Sequence, residues 1–258
     1  MIGSIFHAII YNPLYNGLVF LVGILPTHDV GLAIVVLTIV VRFILFPLSR
    51  RAVQAQLAMK EIAPEVEELK KKHENDREQQ SKAIFALYKE KKIHPFAGFM
   101  LVLLQFPILI GLYWVFARGG LPKVDPTLLY SFVHQPVAVN MEFLGIVSMS
   151  SRSLILAALA AGTQYVYTRL SMGPPSTKDP SPVESSLSGD LAKSFDLQAR
   201  YILPLMIGAI GFSIVAAAPL YWTTSNVFMI LQEYLSGKRF SNNKGNYPVS
   251  SAATHKLP

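Results

Sequence analysis

No cysteine occurs among the 258 residues, so disulfides, thiol catalysis, a cysteine-bound iron–sulfur cluster and a lipid anchor on cysteine are all excluded. Charge is scarce as well. Charged side chains make up 15% of the chain against 52% hydrophobic ones, with a mean hydropathy of +0.39. That balance lies outside ordinary soluble composition and reads as a multispanning membrane protein. The N-terminus lacks a basic stretch followed by a small-residue cleavage site, so no cleavable signal peptide is expected. A glycine-rich phosphate loop with lysine is also missing. The six histidines lie scattered outside the long apolar runs, so no metal and no cofactor is implied, and the chain reads as a non-enzyme.

Apolar runs of near-spanning length occur at residues 30–48, 96–117, 153–170, 201–217 and 220–235, which predicts five transmembrane helices. None holds an Asp, Glu or His away from its ends. Proton-coupled transport and intramembrane proteolysis normally need such groups within the bilayer. Residues 1–25 are uncharged, but Asn12, Pro13 and Asn16 interrupt them. An interfacial helix suits that pattern better than a sixth span, although charge counting allows both.

Within residues 30–48 only Thr38, Arg42 and Pro47 are not apolar. An arginine at the centre of a membrane helix costs roughly 2.5–3.5 kcal/mol, so such a residue marks a pathway, cavity or binding site. The polar group at 49–51 ends the span, so at about 1.5 Å per residue Arg42 lies roughly 12 Å inside that boundary, close to the middle of a hydrocarbon core about 30 Å thick. With no carboxylate in the spans, amide and hydroxyl groups plus water must keep it. The available ones are Gln105, Thr163, Gln164, Ser213, Thr223, Thr224, Ser225 and Asn226. Each alone reads as a packing hydrogen bond; together with Arg42 they imply a wet, cationic cavity. Tyr221 and Trp222 read equally as an interfacial aromatic belt or as lining of that cavity.

Nineteen of the 23 Lys and Arg residues fall in 49–95, 169–200 and the tail after Leu235. The positive-inside rule therefore puts those segments in the cytoplasm and the N-terminus outside. The formal charge of +7 is then largely topology, and no nucleic-acid partner follows from it. Residues 49–95 read as a helical hairpin with its turn at 73–76. Glu67 with Lys71 and Glu68 with Lys72 are placed to pair, Ile62, Val66 and Leu69 form one apolar face, and Ile84, Leu87 and Tyr88 form another. It is either a solvated linker or a docking element. Residues 171–200 read as a flexible loop rich in Pro and Ser, and 236–258 as a basic tail.

Five segments together resemble a known family: Asn12-Pro-Leu-Tyr-Asn, Val41-Arg-Phe-Ile-Leu-Phe-Pro-Leu, Ala86-Leu-Tyr-Lys-Glu-Lys-Lys-Ile-His-Pro, Leu104-Gln-Phe-Pro-Ile and Tyr221-Trp-Thr-Thr-Ser-Asn. They look like the YidC, Oxa and Alb membrane-protein insertases, in the right order over nearly the whole chain. The resemblance implies an all-α polytopic protein of the bacterial plasma membrane. It implies a groove open to cytoplasm and lipid and closed outside, lined by Arg42, Gln105, Gln164 and Trp222, with the arginine drawing in a substrate's polar terminus. Nascent membrane proteins and the lipid bilayer would be its partners, with the ribosome, the signal recognition particle pathway and the Sec translocon alongside. The chain lacks the large outer domain of the Gram-negative type, and its tail of about 23 residues is shorter than the ribosome-binding tails of the organellar type. A small-solute channel using the same cavity is the alternative.

Overall fold

Asn12, Pro13 and Asn16, expected to interrupt the first apolar run, do not break it. In the computed structural model, which describes residues 2–93, 97–117, 121–172 and 197–241, helix continues from α1 (Ile2–Phe6) through a π-helical turn (His7–Tyr11) into α2 (Asn12–Ile24). Pro13 falls in the first turn of α2, directly after the π-helical turn, and the run stays helical through it. Tyr11, Leu14, Tyr15, Leu18, Val19 and Val22 recur at helical spacing and are buried as one face.

Helix also replaces the expected straight span over 30–48. α3 covers Val30–Ile44 and α4 covers Phe46–Glu61, and the two meet at Leu45 with a bend of 61°. Pro47 is the physical reason, since its ring and absent N–H disrupt an uninterrupted ladder through this turn. Arg42 therefore sits within one turn of the bend rather than midway along a straight rod. Beyond α4 come α5 (Ala63–Lys72) and α6 (Arg77–Glu90), which pack together across the turn at 73–76. Asp76 caps α6 by accepting from the N–H groups of Glu78 and Gln79. Ile62, Leu87 and Ile93 form a small core, with Val66, Leu69 and Tyr88 against it. Exposed ion pairs link Lys82 to Glu78 and Lys91 to Glu65.

The remaining long helices are α7 (Ala97–Ala117), α8 (Leu154–Met172), α9 (Leu203–Ser213), entered through a π-helical turn at Gln198–Ile202, and α10 (Ala217–Ser241). α8 packs on both α9 and α10, α10 packs on α3, and α7 lies against α4. Among the described residues the stretch Gly3–Ile24 is long and apolar enough to cross a membrane, α3 with the start of α4 qualifies only as a bent pair, and Gln105–Phe116 and Arg200–Ser213 are shorter apolar helices. The loop expected at 171–200 and the tail expected at 236–258 lie mostly outside the described residues.

Residues 121–153 form a cap over one end of the bundle. It holds a short antiparallel pair, β1 (Glu142–Phe143) and β2 (Val147–Ser148), and a 3₁₀ turn at Pro126–Leu128. Asp29, buried, accepts from Leu32 N–H at the start of α3 and from Leu144 N–H in the β-turn. The second bond helps hold Leu144 in the left-handed region, at φ 52°. Gly31 is required here, because a Cβ at that position would lie 2.4 Å from the Phe143 ring. Asn16 ties α2 to the same cap. Its amide donates to Asn12 C=O and Leu128 C=O at 2.9 Å each, and its oxygen accepts from Tyr130 N–H at 2.6 Å. Replacing it by alanine orphans buried backbone groups, so Asn16→Ala is expected to destabilise the protein by about 2–4 kcal/mol, read as a lower thermal midpoint in detergent.

Candidate functional site

Arg42 projects from the last turn of α3 into the space between α7 and α10. Its side chain is 7% exposed. Nε donates to Ser225 Oγ at 2.7 Å, and Nη2 donates to Gln105 Oε1 at 2.6 Å and also to Ser225 Oγ. The Gln105 amide then donates to the Tyr221 hydroxyl at 2.9 Å. Tyr221 and Ser225 stand four residues apart on α10, so one helix face supplies both. Two helices, α7 and α10, thus hold the guanidinium of a third through neutral oxygens. The ion pairs Lys82–Glu78 and Lys91–Glu65 are exposed, and neither involves Arg42.

Neutral partners have a chemical consequence. A buried arginine paired with a carboxylate would be locked, since breaking such a pair is costly by about 3–5 kcal/mol. Serine and glutamine acceptors can be exchanged for other neutral or anionic acceptors at little net change in hydrogen bonding, and the positive charge stays uncompensated.

Toward the capped end this cluster meets an apolar layer. A void of about 10 Å³, lined by Leu14, Ile34, Leu37, Ile108, Leu112 and the flanks of Thr38 and Tyr221, separates Arg42 from the cap. Thr38 spends its hydroxyl on Ile34 C=O at 2.6 Å. Away from the cap a second polar link occurs. Ser49 on α4 and Gln232 on α10 bond each other at 2.7–3.0 Å, seven residues beyond Arg42 and Ser225 on their respective strands of chain. Phe43 and Phe228 stack edge to face between the two links, with ring centroids 5.1 Å apart.

Of the four residues expected to line a groove, Arg42 and Gln105 bond each other, while Gln164 and Trp222 have other partners. Gln164, on α8, donates to Thr168 of its own helix at 3.2 Å. Trp222 is one residue from Tyr221 but about 100° round the helix, and it packs with Ala160 and Ile207 in an apolar cluster between α8, α9 and α10. Asn226 donates to Thr163 at 3.3 Å and joins α10 to α8. Sequence reasoning gave no role to Ser49 or Gln232. Ser225 was visible as an intramembrane hydroxyl, and its spacing from Tyr221 was the available signal.

A family model described as "60Kd inner membrane protein" matches residues 22–243. A membrane protein insertase YidC of Clostridium tetani is 29% identical over 86% of this chain and 87% of its own length. Proteins of the same name from Bordetella pertussis (28%, covering 88% of this chain) and Neisseria gonorrhoeae (32%, covering 79%) are similar too. This chain spans only 34% and 32% of the length of those two relatives. The match from residue 22 to residue 243 is continuous through α3, α7 and α10, which carry Arg42 and its partners, and the chain belongs to the 60Kd inner membrane protein family.

Proposed function

We propose that this protein is a membrane-protein insertase of the bacterial plasma membrane. On this reading it moves short polar segments across the bilayer and releases apolar helices sideways into lipid, without nucleotide hydrolysis. The observation that carries the reading is Arg42, a buried guanidinium held, among the described residues, by the neutral groups of Ser225 and Gln105, in a chain whose relatives are named insertases.

Energy differences then set the mechanism. A polar terminus entering from the arm side (α4–α6) would displace Ser225 or Gln105 from the guanidinium, and the uncompensated charge favours acidic or polar segments. Burying an apolar helix of about 20 residues in lipid, at roughly 25 cal/mol per Å² of apolar surface, drives the step. The apolar layer around Leu14, Leu37, Ile108 and Leu112 would keep the site closed toward the cap.

Topology belongs to the same proposal: five spans, the N-terminus and the cap outside, and α4–α6 with the 171–200 loop and the tail in the cytoplasm. α1–α2 then lies along the outer interface. In support, Phe6 packs on Trp114 with centroids 5.0 Å apart, Tyr15 OH accepts from Asp125 N–H, and Gly23 approaches Pro136. From Phe6 to Gly23 the helix keeps contact with the cap or the capped end of α7, whereas a spanning helix would leave both. Nascent membrane proteins would be the substrates, with α5 and α6 as a docking arm for them or for the ribosome, the signal recognition particle pathway or the Sec translocon.

Reconstitution decides the matter. Pure protein in liposomes is expected to insert a single-span substrate with a short, weakly charged N-terminal tail, scored by protection of that tail from external protease. Solute flux or conductance without insertion would instead establish the small-solute channel.

A further inference from the structure

A cleft of about 190 Å³ opens between the C-terminal end of α2 and residues 132–137 of the cap. Its apolar walls are Phe20, Ile24, Phe132 and Val137, with His134 and Gln135 at the rim. Among the described residues no carboxylate, lysine or arginine lines it. Val137 is 98% exposed and Phe132 67%, and single exposed apolar side chains would need no explanation. Here four of them share one cleft, and the loop that presents them is fastened at both ends. Tyr130 N–H bonds Asn16, Val133 N–H bonds Tyr130 C=O, and Asn140 N–H bonds His28 C=O at 2.9 Å. The cleft is also continuous with a longer apolar surface. Ile5 and Ile9, then Phe20 and Ile24, are exposed pairs four residues apart, on the side of α1–α2 opposite the buried face. From Ile5 to Ile24 this stripe extends about 28 Å at the helical rise.

We propose that the cleft seats acyl chains of the outer leaflet, so that residues 132–137 dip into the membrane beside α2 and dock the cap onto lipid. This rests on the interfacial placement of α1–α2 proposed above. A flat apolar stripe ending in an apolar cleft matches a lipid surface at one depth, since an interfacial helix buries its apolar face some 5–10 Å into the headgroup and acyl boundary. The polar rim of His134 and Gln135 would remain at headgroup level.

The absence of cysteine makes the test direct. Full-length protein carrying a single nitroxide at Val137→Cys, Phe132→Cys, Ile9→Cys or Lys123→Cys is placed in phosphatidylethanolamine and phosphatidylglycerol vesicles. Collision with oxygen, enriched in lipid, is compared with collision with a water-soluble nickel chelate. The expected result is a nickel collision rate at Val137 and Phe132 several-fold below that at Lys123, with oxygen collisions raised as at Ile9. Nickel access at Val137 and Phe132 while Ile9 stays in lipid would overturn the cleft and leave the interfacial helix standing. Nickel access at all of these positions would overturn both. Exclusion of both reagents from Val137 would mean that a protein surface, such as a second copy, fills the cleft, and that also overturns the proposal.

Discussion

Arg42→Ala is expected to give a protein that accumulates and resists heating in detergent at least as well as its parent, yet inserts substrates with acidic translocated segments far more slowly. Two magnitudes separate. Removing a desolvated cation relieves roughly 2.5–3.5 kcal/mol of membrane cost, offset by the lost bonds to Ser225 and Gln105, which can then turn to Tyr221 and to each other. Insertion loses the charged hydrogen bond to the incoming segment, worth about 1.5–3 kcal/mol, which corresponds to about a tenfold to hundredfold lower rate. Arg42→Lys is expected to keep most of the activity, because an ammonium still supplies positive potential. The structure sharpens this comparison, since Nε and Nη2 together hold Ser225 while Nη2 also reaches Gln105. If lysine fails as completely as alanine, and both variants unfold, Arg42 is a structural clamp and the insertase mechanism loses its centre.

Replacing residues 62–93 by a flexible Gly/Ser linker is expected to leave a folded membrane protein whose insertion activity collapses. Independence of the folded bundle follows from the cores. Ile62, Leu87 and Ile93 pack among α4–α6 residues alone, separate from the main cluster built on Tyr15, Leu18, Val30 and Val115, and α5 contacts only its chain neighbours α4 and α6 among the principal packing pairs. Loss of capture is the functional half of the expectation. Equal melting of variant and parent, with substrate crosslinking reduced, is the supporting pattern. Loss of the folded bundle would show that α5 and α6 are a structural brace instead.

Sequence alone determined where the chain must be apolar and where it must be charged. The turn at 73–76 and the paired faces of α5 and α6 were legible because amphipathic periodicity distinguishes an inner side from an outer one. Arg42 stood out because a charge in an apolar run has few explanations. The expected helix over residues 1–25 runs on through Asn12, Pro13 and Asn16 without the expected interruption, and the spacing of Tyr11, Leu14, Tyr15, Leu18 and Val22 carries it. The bend at Leu45 was foreshadowed by Pro47, but its 61° angle depends on what α4 packs against.

Which polar groups meet was decided only by tertiary structure. α7 and α9 are apolar around nearly their whole circumference, so no periodicity tells which side faces a neighbour, and rotation about the helix axis stays open until the helices pack. That rotation brings Gln105, Tyr221 and Ser225 to Arg42 and turns Trp222 toward Ala160 and Ile207, whereas the Gln164–Thr168 bond lies within one helix. The cap was equally invisible, because Asp29, Asn16 and Tyr15 act on partners more than a hundred residues away, and such bonds leave no local pattern in the chain.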